Sequence, residues 1–138
     1  NFIWRLHPVL SFELLLNKNK NFRSLPKNIK LSNRVYEKDV EVCQWVLYRG
    51  TTAVVQAVVS GLRPIYLQKF NEMSIDPLYG LEDWRIKINS EQDFKRQIEK
   101  DISDQFHLIQ GKEQIKAIEY CKKLFKPIDS AVLFTALA

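Results

Sequence analysis

A turn with one glycine and two threonines, Arg49-Gly50-Thr51-Thr52, is the segment of this 138-residue chain best suited to hold an anion. It follows a short apolar run, Trp45–Tyr48, and precedes small apolar residues at positions 53–60. The glycine would let the backbone approach a ligand closely, and one of the threonines would cap a helix. Free N–H groups of a first helical turn and two hydroxyls suit a phosphate. A plain strand-to-helix turn with a threonine cap has the same pattern, and both interpretations stay open.

A second pair of candidate ligand contacts, Arg5 and His7, lies near the start of the chain. The apolar run of residues 2–6 predicts a strand that ends by Pro8, because proline cannot continue a central ladder. Residues two apart on a strand point to the same face, so both side chains would meet a ligand at the carboxyl end. An arginine in a structural ion pair and a histidine that caps the loop are the alternative.

The elements around the glycine turn predict one βαβ unit. We expect adjacent parallel strands at residues 45–48 and 64–67, joined by a right-handed crossover through a helix at residues 52–60. Four valines in the middle segment favour a strand by propensity. Gly61 nevertheless suits the left-handed residue after a helix end, and the small residues of the segment would let a helix lie close to a sheet. A helix that is apolar nearly all round should be buried.

In the rest of the chain, segments with the apolar spacing of strands alternate with segments that have the apolar spacing of helices. This alternation indicates a parallel α/β sheet. We expect strands at residues 29–32 and 85–89, and helices at residues 11–16, 33–42, 112–126 and 131–137, with another that begins at Ser90. Gly111 should separate the last of the long helices from the one before it. Residues predicted to face inward on the second and penultimate helices are Val35, Val40, Val42, Ile115, Ile118, Leu124 and Phe125. The irregular segment 68–84 is long enough to suggest a functional loop.

Composition sets the class of protein. Hydrophobic residues make up 46% and charged residues 27% of the chain, which is typical of a single globular domain, and no apolar run is long enough to span a membrane. No metal-ligand spacing involves His7 or His107, so neither a metal nor a cofactor is expected. Cys43 and Cys121 lie among apolar residues and should be buried thiols in a reducing compartment. The net charge of +5 is scattered, and no aromatic-plus-basic motif indicates nucleic acid.

Two motifs, RLHP (residues 5–8) and YRGTTAVVQAVVSGLRPIYL (residues 48–67), resemble the carboxy-terminal half of GT-B glycosyltransferases. The similarity is to bacterial surface-polysaccharide, sialyltransferase-like and CDP-glycerol-polymerase-like enzymes, it extends over residues 2–89, and the IDPL segment at residues 75–78 also fits. The resemblance implies a Rossmann-like three-layer parallel sheet with C-terminal helices, which is half of a GT-B fold. The family usually has one more strand and helix before the first motif, and that strand would be central in the sheet.

The resemblance also implies roles for individual residues. Gly50, Thr51 and Thr52 would hold the donor phosphates. Arg5 and His7 would face the phosphate or the base. On the helix after the glycine turn, the family often has a glutamate that binds the ribose hydroxyls. The matching residue in this chain is Gln56, whose amide keeps one acceptor oxygen. The residues implied in donor phosphate and nucleotide binding are Arg5, His7, Arg49, Gly50, Thr51, Thr52 and Gln56. No catalytic base is identified.

These features predict the donor-binding half of a nucleotide-sugar-dependent glycosyltransferase in surface polysaccharide synthesis. Residues 1–138 would form one domain of a longer protein, whose N-terminal domain holds the acceptor glycan, and the isolated chain should be inactive. A non-catalytic Rossmann-like interaction module and a sugar-nucleotide epimerase are the alternatives, although an epimerase needs acid–base carboxylates beside the turn. We expect a cytoplasmic protein without nucleic-acid partners, and leave open peripheral membrane contact and a homo-oligomer.

Overall fold

A computed structural model of the chain describes residues 1–103 and 107–125, and it divides into two compact units. The first unit is Asn1–Val42 and the second begins at Cys43. All the strand pairs of the described residues are parallel and form two small sheets, so the α/β class is confirmed. No helix in the described ranges is long and apolar enough to cross a membrane. The helix predicted at residues 131–137 lies outside the described residues.

The first unit is a two-stranded sheet with short helices. Its elements are β1 (Phe2–Trp4), α1 (Phe12–Lys18), a 3₁₀ helix (Lys20–Arg23), β2 (Ile29–Leu31) and α2 (Tyr36–Val40). The Trp4 ring contacts Phe12 edge-on at 6.1 Å between centroids and Phe22 at 5.4 Å, so aromatic side chains join the sheet to α1 and the 3₁₀ helix. The Ser11 hydroxyl accepts the Leu14 N–H at 3.2 Å and caps α1. The predicted helix and second strand of this region are confirmed.

The buried residue of helix α2 is polar: it is Asp39. Val35 and Val42 were expected to be buried, but both are exposed, and Asp39 is buried instead. The reason is that the Asp39 carboxylate accepts hydrogen bonds from Arg5 and Ser32, which lie directly after β1 and β2. A long-range ion pair therefore overrides the apolar pattern of this helix.

The second unit contains the predicted βαβ unit. Its elements are β3 (Trp45–Tyr48), α3 (Ala53–Val59), β4 (Arg63–Leu67), a 3₁₀ helix (Tyr79–Trp84), β5 (Ile86–Ile88), α4 (Glu91–Ser103) and α5 (His107–Leu124). The strand order is β3-β4-β5, all parallel, with Tyr48 opposite Tyr66 and Leu67 opposite Ile88. The strands at residues 45–48 and 64–67 are therefore neighbours connected through a helix, as predicted.

Proline 64 lies inside the central strand β4, where a missing N–H would normally interrupt the ladder. Along a strand the N–H groups point alternately to the two neighbouring strands. The Arg63 N–H donates to Gln44 on the β3 side, and the Gln68 N–H donates to Ile88 in β5, so even-numbered residues of this strand direct their N–H to the β5 side. Residue 64 therefore faces the β5 side, and pairing with β5 starts only at Ile65. The proline occupies a position where no ladder bond is lost.

The end of α3 explains why a valine-rich segment is helical. Gly61 has a φ of +95°, its N–H donates to Val58, and the N–H of Leu62 donates to Ala57. These two bonds form a Schellman motif, which needs a left-handed residue and therefore favours glycine. Val54, Val55, Ala57 and Val58 are buried, and tertiary burial of this face outweighs the strand propensity of the valines.

Helix α5 differs from the prediction in its start and in its buried face. It continues through Gly111, which is exposed and would meet no atom within 4 Å if it had a Cβ, so the glycine costs only its propensity of about 1 kcal/mol. Among the α5 side chains whose burial is described, Ala117 and Cys121 are buried, while Ile115 and Leu124 are exposed, as is Phe125 just after the helix. The helix packs against α3, and small side chains allow that close approach.

The two thiols should differ in reactivity. Neither cysteine forms a disulfide; Cys121 is fully buried and Cys43 only partly buried. Burial raises the pKa of the Cys121 thiol to about 11. At neutral pH its thiolate fraction should be about a hundredfold below that of an ordinary cysteine, before shielding is counted.

A short pulse of iodoacetamide, followed by peptide mass spectrometry, should therefore label Cys43 and leave Cys121 unmodified. The variant Cys43→Ser reports the rate of Cys121 alone. Equal labelling of both thiols in the folded chain would contradict the burial of Cys121 in the core.

Candidate functional site

The strands β3 and β4 end at one edge of the second sheet, which we call the strand-end site. Tyr48, the last residue of β3, lies opposite Tyr66, the penultimate residue of β4, with ring centroids 5.4 Å apart. The chain leaves β3 through the turn at residues 49–52 and leaves β4 through the loop at residues 68–78. In open α/β sheets ligands bind outside the carboxyl ends of the strands, so this edge is the first place to look for a function.

A buried aspartate anchors the loop to this edge. Asp76 is 7% exposed, and its Oδ1 accepts the Tyr48 hydroxyl at 2.7 Å and the Leu78 N–H at 2.9 Å. Its Oδ2 forms an ion pair with Arg85, whose guanidinium also lies 5.7 Å from the Tyr66 ring centroid. Burial and the hydrogen bond to Asp76 raise the pKa of Tyr48 far above its usual value, so the phenol stays protonated and donates.

Gly50 is closely covered by the side chain of Ile75. A Cβ added at Gly50 would lie 2.8 Å from Ile75 Cγ1 and closer still to Cδ1. Glycine at this position therefore allows the loop to pack on the turn, which is a structural reason for a residue that we assigned to ligand approach. The covering atoms belong to the flexible end of a side chain that is 59% exposed, so they have room to move.

The start of α3 uses its own residues as acceptors. The Thr51 hydroxyl accepts the Ala53 N–H at 3.3 Å, and the backbone carbonyls of Thr51 and Thr52 accept the N–H groups of Val54 and Val55 at 3.4 and 3.0 Å. Thr52 is the N-cap residue, but its side chain makes no capping bond. The N–H groups expected to be free thus have acceptors within the chain, while the two threonine side chains remain on an exposed turn.

Arg49 and Gln56 complete the predicted residues of the second unit. The Arg49 guanidinium forms an ion pair with Glu72 of the loop, and the two side chains are 48% and 39% exposed. Gln56 lies one turn into α3 on its exposed side. Arg49 and the glycine–threonine turn thus form the connection from β3 to α3, and Gln56 lies in the helix that follows it.

Arg5 and His7 belong to the first unit and already have local partners there. The Arg5 guanidinium donates to the Arg34 carbonyl at 2.7 Å, pairs with Asp39, and lies 5.4 Å from the Tyr36 ring centroid. His7 is exposed, and its Nδ1 accepts the Val9 N–H at 3.3 Å. Both contacts correspond to the structural alternative considered for these residues, an ion pair and a loop cap.

The Asp39 carboxylate is the electrostatic centre of the first unit. Burial by itself would raise its pKa, but hydrogen bonds from Ser32 and Arg5 and the charges of Arg5 and Arg34 outweigh burial and hold the pKa below the usual value. The Ser32 hydroxyl donates to it at 2.6 Å. The charged form is therefore stabilised by folding.

Sequence reasoning missed Tyr48, Asp76 and Arg85 as a group. The Asp76-Pro77 pair signals a turn, and Asp76 does form one through the Leu78 N–H, but nothing local indicates that the carboxylate is buried. Arg85 lies next to β5, 9 residues from Asp76, and only the fold brings the two together. Among the described residues no group of three or more histidine, cysteine or acidic side chains could hold a metal ion.

Comparisons of the chain with protein-family models, with curated proteins and with solved structures gave no match.

The two carboxylates of the strand-end loop should contribute very differently to stability. Asp76→Asn breaks a buried ion pair and should reduce the free energy of unfolding by about 3–5 kcal/mol. Glu72→Gln removes a surface pair with Arg49 and should cost about 1 kcal/mol or less. Urea unfolding of both variants, followed by circular dichroism, measures the difference. Equal losses would contradict the anchoring role of Asp76.

The first unit should lose stability in acid through Asp39. Because folding lowers the pKa of this carboxyl, its contribution is present above the usual aspartate pKa of about 3.9 and is lost as the pH falls through the lower folded value. Hydrogen exchange of the β1 and β2 amides across this range measures the effect. Asp39→Asn should be less stable at neutral pH and should lack this acid-dependent loss. The control Glu41→Gln, which removes an exposed carboxylate paired with Lys38, should keep it.

Proposed function

We propose that the strand-end site binds the phosphate groups of a nucleotide sugar, as the donor-binding half of a glycosyltransferase in surface polysaccharide synthesis. The observation that carries the proposal is the position of Arg49, Thr51 and Thr52. Their side chains are exposed together where β3 ends beside the parallel strand β4. One guanidinium and two hydroxyls at such an edge are suitable donors for phosphate oxygens.

Arg49 is available to an incoming phosphate because its present partner is weak. An exposed ion pair such as Arg49–Glu72 is worth about 0–1 kcal/mol. A phosphate offers several charged oxygens, and a guanidinium binds them through two parallel hydrogen bonds. The phosphate would therefore displace Glu72, and Ile75 would move away from Gly50 to open the turn.

In the proposed reaction an acceptor hydroxyl displaces the nucleotide phosphate at the sugar carbon. Arg49 and the threonine hydroxyls would stabilise the negative charge that develops on the leaving phosphate. Gln56 would contact the ribose through its amide. Arg5 and His7, in the first unit, are proposed contacts to a phosphate or a base, and Arg5 would then exchange one of its bonds to Asp39 or Arg34 for that ligand.

The finer fold belongs to this proposal as well. A Rossmann-like three-layer sheet that forms half of a GT-B fold is supported by the parallel pairing in both units and by the helix that joins β3 to β4. The acceptor and the catalytic base would come from a second domain across the cleft. A second domain that holds the acceptor in position beside the donor would contribute much of the rate of a transfer reaction.

A non-catalytic interaction module is the second candidate, and the loop between β4 and the 3₁₀ helix favours it. Phe70 and Met73, three positions apart in this loop, are both large apolar residues and are 88% and 86% exposed. Neighbouring exposed apolar side chains of this kind can form a contact surface for a partner. Ile75 also covers the glycine turn. The epimerase alternative lacks support near the turn, where the described carboxylates Glu72 and Asp76 are both held in ion pairs.

Nucleotide titration separates the two candidates. Adding CMP, CDP or UDP to ¹⁵N-labelled protein should shift the backbone amides of residues 50–53, because they adjoin the proposed phosphate site. Arg49→Gln removes a charged donor and should weaken binding roughly tenfold to a hundredfold. Arg96→Gln is the matched control, since Arg96 is also an exposed arginine in an ion pair, and it should have no effect. Amides that do not move at millimolar nucleotide would refute the site and leave the interaction module.

A further inference from the structure

Seven consecutive exposed residues, 69–75, lie in the loop that leaves β4 at the strand-end site, and we call them the strap. The strap is attached firmly at both ends. Before it, the Gln68 N–H donates to the Ile88 carbonyl at 2.9 Å, and after it Asp76 is buried. None of these seven residues belongs to a helix or a strand, so the strap is held by its two ends and by the contacts of its side chains.

A turn within the strap determines where Glu72 lies. The Glu72 N–H donates to the Lys69 carbonyl at 3.4 Å, and Asn71 has a left-handed backbone with a φ of +61°. Asparagine is one of the few residues other than glycine that adopt this conformation readily. The turn is therefore favoured by its own sequence, and the residue that closes it is the one whose carboxylate pairs with Arg49.

Two side chains of the strap occupy groups that we assign to ligand binding. The Glu72 carboxylate holds the Arg49 guanidinium, which is the charged donor proposed for a phosphate. The Ile75 side chain covers Gly50, at which a ligand would approach the backbone. The strap thus places an anion and an apolar group of the protein itself at the positions proposed for the phosphate end of the ligand.

A competitor that belongs to the same chain is present at every moment. A group held on a short tether acts at an effective concentration in the millimolar range, whatever the concentration of free ligand. The Arg49–Glu72 pair is nevertheless exposed, at 48% and 39% of the two side chains, so it is weak enough for a phosphate to displace. The apparent affinity of a ligand falls in proportion to the fraction of molecules in which its site is open.

We infer that the strap is a built-in competitive inhibitor of the strand-end site, with Glu72 in the place of the ligand's phosphate and Ile75 over the glycine. This inference rests on the proposed function of the site. It has a consequence of characteristic sign: weakening either strap contact tightens ligand binding, whereas the loss of a residue that itself holds the ligand, such as Arg49, weakens it.

The charged contact is tested with Glu72→Gln in the ¹⁵N-labelled full chain. Inorganic pyrophosphate and UDP are the probes, and the backbone amides of residues 50–53 report binding. Because Arg49 is released, Glu72→Gln should bind both probes about twofold to fivefold more tightly than the wild-type chain. Glu113→Gln is the matched control, since it removes the same charge from another exposed ion pair, and it should leave both affinities unchanged.

The apolar contact is tested with Ile75→Ala, which changes no charge. Truncation removes the atoms that cover Gly50, and the loss of these few contacts should tighten the binding of both probes by about twofold. Met73→Ala is the matched control, because Met73 belongs to the same strap and is 86% exposed, and it should have no effect.

The titrations separate a failure of this inference from a failure of the proposed function. If the wild-type chain binds the probes and either Glu72→Gln or Ile75→Ala does not bind them more tightly, the strap is no inhibitor, while the site itself stands. An equal gain in Glu72→Gln and Glu113→Gln would show a general effect of charge and would also overturn the inhibitor. If neither the wild-type chain nor the two strap variants bind at millimolar probe, the site and the inhibitor are both refuted.

Discussion

The buried carboxylate of Asp76 is the interaction on which the second unit depends. A carboxylate removed from water must be compensated by charge and hydrogen bonds, and Arg85, Tyr48 and the Leu78 N–H provide them. Tyr48 ends β3, Arg85 precedes β5, and the guanidinium of Arg85 also contacts Tyr66, the penultimate residue of β4. The Asp76–Arg85 pair therefore links the end of β3 and a residue of β4 to the residue that leads into β5.

The same anchor determines what the strand-end site presents to solvent. With Asp76 fixed, the preceding residue Ile75 lies on Gly50, and Glu72 reaches Arg49. The exposed ion pair and the flexible isoleucine are weakly held, whereas the aspartate beneath them is not. A ligand at this edge would thus displace side chains of the loop without disturbing its attachment to the sheet, which is compatible with a binding site on a rigid support.

The first unit is built around a comparable aspartate. Asp39 accepts hydrogen bonds from Arg5 and Ser32, which directly follow the parallel strands β1 and β2. In the first unit the partners of the buried carboxylate lie at the carboxyl ends of both parallel strands, whereas in the second unit they are Tyr48 at the carboxyl end of β3 and Arg85 just before β5. This arrangement explains why Arg5, which has the sequence position of a ligand contact, has a structural partner instead: residues at strand ends are in reach of any carboxylate that packs there.

The sequence by itself determined the elements whose signals are local. The strands at residues 45–48 and 64–67, the short helix that starts near Ser11 and the left-handed Gly61 were predictable, because periodicity and backbone conformation depend on neighbours in the chain. Tertiary structure alone decided that Asp39 and Asp76 are buried and that α5 buries its small residues instead of its larger apolar ones. Those outcomes depend on partners far along the chain, which supply the compensating charge or the close-fitting surface and leave no local signal at the residue itself.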